Sequence, residues 1–212
     1  MYAWITLLLT LSLTSCHSSS SHTQAMWQFF AGRGSSSSHE RPLIYRALVP
    51  SHWDRCDPLT TESLMDTKTA IGEFYIREGE KSIRLTIHTF PISDLRPPPQ
   101  AQVARWKKQF QELDELATYV TSDAHGGFSG LYFEGQGIWQ DGALRKVMGW
   151  SMQLASGYER QLALGHHPLD HLKRADYTIK AVGPIDLIDN YHSEIVTFAH
   201  SFEFIEELPF PL

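Results

Sequence analysis

Ile83-Arg84-Leu85-Thr86-Ile87-His88-Thr89-Phe90 is the stretch whose reading decides the fold. Ile83, Leu85 and Ile87 point to one side of an extended chain, and Arg84, Thr86 and His88 to the other. That period of two is what a half-buried strand requires. Just upstream, Glu78-Gly79-Glu80-Lys81 reads as a hairpin turn, and residues 70–77 as the preceding strand.

Outward from this hairpin, strand and helix patterns alternate. Residues 43–49 form a short apolar segment ending at Pro50, and Pro50-Ser51-His52-Trp53 turns the chain. Pro97-Pro98-Pro99 stops the layer. Val103, Trp106, Phe110 and Leu113 then recur at spacings of three and four, which predicts one helix with a single apolar stripe. Its basic residues (Arg105, Lys107, Lys108) precede its acidic ones (Glu112, Asp114, Glu115). That order opposes the helix dipole, so tertiary packing must stabilise such a helix.

Residues 128–138 and 144–154 read as two strands joined by Gln140-Asp141-Gly142, since Asp-Gly tolerates positive φ. Residues 156–174 read as a loop with short helical pieces. Tyr177 to Val182 returns to strand. Gly183-Pro184 opens a last helix whose apolar face holds Leu187, Ile188, Tyr191, Ile195, Phe198, Ala199 and Phe202. Residues 204–212 read as an extended tail.

This order resembles the Mog1/PsbP-like family. The resemblance is carried by Pro50-Ser51-His52-Trp53, Gln102-Val103-Ala104-Arg105-Trp106, Tyr177 to Pro184, and Phe198-Ala199-His200-Ser201-Phe202-Glu203-Phe204, spread over residues 41–205. It implies an α+β fold, an α/β/α sandwich with a central, mostly antiparallel sheet. The 156–174 insertion departs from the family's compactness. Such proteins are mostly binding and assembly factors, with partners from small GTPases to photosynthetic complexes. No catalytic residue carries over.

The N-terminus adds a location. Ala3 to Leu13 is an apolar run of secretory length, too short to span a bilayer. With Leu13-Thr14-Ser15-Cys16 it resembles a bacterial lipoprotein signal peptide, although Met1-Tyr2 lacks a basic side chain. The resemblance implies cleavage before Cys16 and a lipid on its thiol. Residue 17 is His rather than Asp, which implies the outer membrane, facing the periplasm, in a Gram-negative cell. The expected organisation is a signal peptide over 1–15, a lipidated Ser-rich tether over 16–39, and one globular domain over 40–212. Cleavage at another site would instead make a secreted protein. Cys56, left without an internal partner, reads as a half-buried, inert thiol in a loop.

The net charge of −6 excludes the basic footprint of a nucleic-acid binder. Within the tether, Trp27, Phe29 and Phe30 form an apolar island. It reads as a segment docked on the domain or as a partner-binding or membrane-contacting foot.

The chain contains no nucleophile elbow, Walker loop or dinucleotide fingerprint. His166, His167, Asp170 and His171 gather three imidazoles and a carboxylate, a composition suited to zinc. A solvated polar loop explains the same residues. Asp123, His125 and Ser129 lie close enough in sequence to raise a hydrolase triad, which converges only if all three share a pocket. The reading is a membrane-tethered, non-enzymatic protein-binding or assembly lipoprotein. A zinc-binding protein is the alternative, and an envelope hydrolase a weaker one.

Overall fold

The computed structural model describes residues 24–32, 42–56, 69–90, 97–165 and 169–208, with the side chain of His171 excepted. In chain order its strands begin with β1 (Ala25–Ala31), β2 (Leu43–Pro50), β3 (Asp54–Cys56), β4 (Gly72–Glu78) and β5 (Lys81–Phe90). Helix α1 (Pro99–Lys107) leads to β6 (Phe110–Leu113), β7 (Tyr119–His125), β8 (Phe128–Trp139) and β9 (Leu144–Leu154). Then come α2 (Ser156–Leu164), α3 (Asp170–Lys173), β10 (Asp176–Gly183), α4 (Ile185–His200) and β11 (Glu203–Phe204).

A large sheet runs in the order β3-β4-β5-β10-β9-β8-β6, with β7 also paired to β8, and a small sheet runs β1-β2-β11. Every pairing among the described residues is antiparallel. The fold is therefore α+β around a large antiparallel sheet, as the sequence leads one to expect.

The alternation in β5 sets the layers. Ile83, Leu85 and Ile87 are fully buried. Ile87 and Leu85 register with Ile179 and Ala181 of β10, which register with Trp150 and Met148 of β9. This face packs on Leu187, Ile188, Ile195 and Phe198 of α4, and on Phe30, Tyr45, Ala47 and Val49 of the small sheet. Tyr45 lies stacked between Phe202 and Phe204, with ring centroids 5.0 and 5.2 Å away. The opposite face is covered by α1, whose Val103 and Trp106 sit on Phe133 and Val147. Gly149 is bare because Trp106 occupies the space: a Cβ there would lie 2.4 Å from the indole.

Two expectations change. The helix through residue 113 ends at Lys107, and Phe110–Leu113 forms β6 against Gly137–Trp139. Phe110 packs edge-on against Trp139, with centroids 4.9 Å apart. The stop also removes the conflict with the dipole. Arg105 and Lys107 now occupy the last turn of a short helix, where cations are favoured, and the acids lie beyond it. The second change concerns the domain boundary. β1 pairs with β2 from Ala25↔Pro50 onward, so the folded unit includes residues 25–31, which the expected boundary at residue 40 had placed in the tether. The burial of Phe30 is the physical reason, since it ties this strand to the core.

Candidate functional site

β7 is a short edge strand in which Asp123 and His125 stand two residues apart, hence on one face. Gly126 and Gly127, at φ +57° and +83°, reverse the chain at once into β8, the two-residue hairpin geometry that requires positive φ at both positions. Far along the sequence, α4 ends at His200 beside the same edge. His200 Nε2 lies 3.0 Å from Asp123 Oδ2, and Trp150 donates its indole N–H to that oxygen at 3.0 Å. His125 Nε2 and the Tyr177 hydroxyl are hydrogen-bonded at 2.6 Å. The two imidazole centroids are 5.0 Å apart. One ligand atom from each of Asp123, His125 and His200 lies within 4.8 Å of the others.

The three side chains differ in exposure: 16% for Asp123 and 48% for His200, but 10% for His125. His125 Nδ1 is buried and makes no hydrogen bond. Asp123 Oδ1 is 3.5 Å from it, beyond hydrogen-bond distance. Burial lowers the His125 pKa and outweighs the attraction of Asp123, so the ring favours its neutral form. Burial works to raise the Asp123 carboxyl, but the His200 hydrogen bond and the two imidazoles hold it below its ordinary value.

A second polar cluster lies further along the same face. Glu134 of β8, 7% exposed, approaches Lys146 Nζ at 2.6 Å. It also accepts from the Tyr119 hydroxyl at 2.6 Å and from the Tyr132 hydroxyl. His192 Nε2 of α4 approaches it at 3.2 Å. Lys146 also meets Asp189 of α4 at 2.6 Å, so the cluster joins helix to sheet. Burial raises the Glu134 carboxyl, but Lys146 and the two tyrosine hydroxyls overcome that and bring it to about 2.

The third feature is the outer face of the small sheet. Trp27 and Phe29, 42% and 44% exposed, point away from the core. They register with Leu48 and Arg46 of β2. The Arg46 guanidinium sits 4.6 Å from the Trp27 ring centroid and pairs with Glu203 at 2.6 Å.

The residues singled out from sequence divide as follows. Trp27 and Phe29 are surface residues, but Phe30 is not available to a partner: it is fully buried between Phe74 and Phe202, because the strand's alternation turns it inward. Cys16, His166 and His167, and the His171 side chain, lie outside the described residues. Asp170 begins α3, with its carboxylate 3.9 Å from Lys173 Nζ. Cys56 is exposed at the end of β3 rather than half-buried. Asp123 and His125 do converge, but Ser129 does not join them. Ser129 registers with Ala124, and the pleat sends both to the opposite face. The hydrolase triad is therefore not formed. The partner the cluster does have, His200, was missed because it comes from the end of α4.

No family model matches the chain, and no characterised protein matches it by sequence. Among solved structures the likeness is one of fold. The chain is similar to cyanobacterial PsbP (CyanoP) from Synechocystis sp. PCC 6803, at 14% identity over 91% of this chain and 98% of that one, with a TM-score of 0.49. It is also similar to LpqN, a protein involved in cell envelope biogenesis of Mycobacterium tuberculosis, at 12% identity over 86% and 92%, with a TM-score of 0.47.

Proposed function

We propose that this protein is a lipid-anchored, non-enzymatic binding or assembly factor of the cell envelope, tethered through Cys16 and engaging a protein partner with the outer face of β1 and β2. The observation that carries this reading is the pair of exposed aromatics, Trp27 and Phe29, flanking Arg46 on that face. Trp and Arg are the side chains most often found to dominate binding energy at interfaces. The face begins at Ala25, nine residues after Cys16. A link of that length reaches at most about 30 Å, so the anchor would hold the face near the membrane.

A protein suits the face better than a lipid surface does. The Arg46–Glu203 pair lies on it, and a bilayer would strip water from both charges without supplying new partners. A net charge of −6 adds no attraction to anionic lipid.

The test is cross-linking and affinity purification of the full-length protein from its native envelope, beside Cys16→Ser and Trp27→Ala/Phe29→Ala. The reading expects one dominant protein, reduced in both variants, and release of Cys16→Ser from membranes. Equal recovery of that protein by the Trp27→Ala/Phe29→Ala variant would reject this face. Membrane retention of Cys16→Ser would reject the anchor.

A further inference from the structure

We propose that Asp123, His125 and His200 form a binding site for a zinc-class divalent ion, with Tyr177 and Trp150 as its supporting hydrogen-bond partners. The three ligand atoms already lie within 4.8 Å of one another. Tetrahedral zinc with bonds of about 2.0–2.2 Å holds its ligands on the order of 3.3–3.6 Å apart, so small side-chain adjustments close the site. Two imidazoles and one carboxylate are a ligand set that zinc and its neighbours favour over calcium or magnesium.

A plain ion-pair cluster leaves one observation unexplained. His125 is nine-tenths buried, and its Nδ1 faces the cluster with no hydrogen-bond partner. Buried polar atoms are rarely left that way. A cation between Nδ1 and Asp123 satisfies it. The Nε2 of the same ring is held by Tyr177, itself fully buried. With Nε2–H donating to the tyrosine oxygen, the Nδ1 lone pair is free for a metal. Ligand histidines usually have their other nitrogen fixed in this manner. Trp150 orients Asp123 in the same way from β9.

His200, half-exposed at the end of α4, gives the ion a way in from solvent. The site takes three ligands from the protein and leaves the fourth position to water or to a ligand from elsewhere. A bound ion would clip the sheet edge at β7 to the end of the last helix.

The test uses the full chain, stripped with chelator and titrated with zinc against a chromogenic competitor. Cobalt serves as a spectroscopic substitute. One equivalent of zinc, a rise in thermal midpoint, and tetrahedral cobalt bands are expected. His200→Ala, a half-exposed change that spares the core, should weaken zinc by more than the roughly 10–100-fold that loss of a supporting partner costs. Tyr177→Phe should fall within that range, and the cobalt bands should disappear in Asp123→Asn. The His167→Ala/His171→Ala variant should bind as the parent does. The proposal is overturned if the parent does not bind micromolar zinc, if binding survives both His200→Ala and Asp123→Asn, or if it is lost in the His167→Ala/His171→Ala variant.

Discussion

Replacing Glu134 by Gln should make the protein less stable at neutral pH and less sensitive to acid. The carboxylate is buried, with Lys146, two tyrosine hydroxyls and His192 around it. Its pKa is depressed from 4.5 to about 2. A shift of that size corresponds to about 3 kcal/mol of stability at pH 7. The structural estimate agrees: breaking a buried ion pair costs roughly 3–5 kcal/mol, and Lys146 keeps Asp189, which favours the lower end. The sign follows from the depressed carboxylate. Its contribution is complete above pH 4.5 and is lost as pH falls toward 2. Integrating the two titrations puts the loss at about 2 kcal/mol by pH 3. The assay is urea unfolding followed by tryptophan fluorescence at pH 7 and pH 3, for parent and Glu134→Gln. The parent should lose about 2 kcal/mol more than the variant between the two pH values, because every other acid titrates in both. Parallel losses would refute the reasoning.

Two further outcomes follow from burial. Phe30→Ala should cost about 3–5 kcal/mol in urea unfolding, whereas Phe29→Ala, one residue away but facing solvent, should cost less than about 1 kcal/mol; similar losses would mean that β1 is not seated as described. Lys180 of β10 is mostly buried beside Trp139 and Gln109, and burial, reinforced by Arg84, lowers its pKa to about 8. In a folded sample with dimethylated lysines, carbon-13 NMR should show one lysine titrating near that value; a full set of midpoints at the ordinary lysine value of 10.5 would contradict the burial.

The strands with clean alternation were legible because one face carries apolar side chains and the other polar ones, as in β5, where Ile83, Leu85 and Ile87 alternate with Arg84, Thr86 and His88. α4 was legible for the same reason at helical period. The segment from Phe110 to Leu113 misled because its two apolar residues fit a helical stripe, while their partner, Trp139, is 29 residues from Phe110. β7 had no apolar alternation to read, being an exposed edge of Tyr119-Val120-Thr121-Ser122-Asp123-Ala124-His125. The usable signal was Gly126-Gly127 directly before a strand, the mark of a tight hairpin. That turn would have placed Asp123 and His125 on one face. Nothing local points to His200, which is 77 residues from Asp123 and reaches it only through the docking of α4. β1 was ambiguous because its aromatics, Trp27, Phe29 and Phe30, fall on both faces.

The register of the small sheet has a mechanical consequence. Ala25 lies opposite Pro50, at the far end of β2 from Tyr45, where β11 attaches. Tension applied through residue 24 along the strand axis therefore loads the β1–β2 ladder in shear, with its rungs sharing the strain. The same tension directed sideways unzips them one at a time from Ala25. Phe30, near the far end of β1 and beside the register shift at Ala31, is the plug that such a pull withdraws last. Until it moves, the aromatic core behind it stays closed, so a pull on residue 24 spends itself on β1 before it reaches the body of the domain.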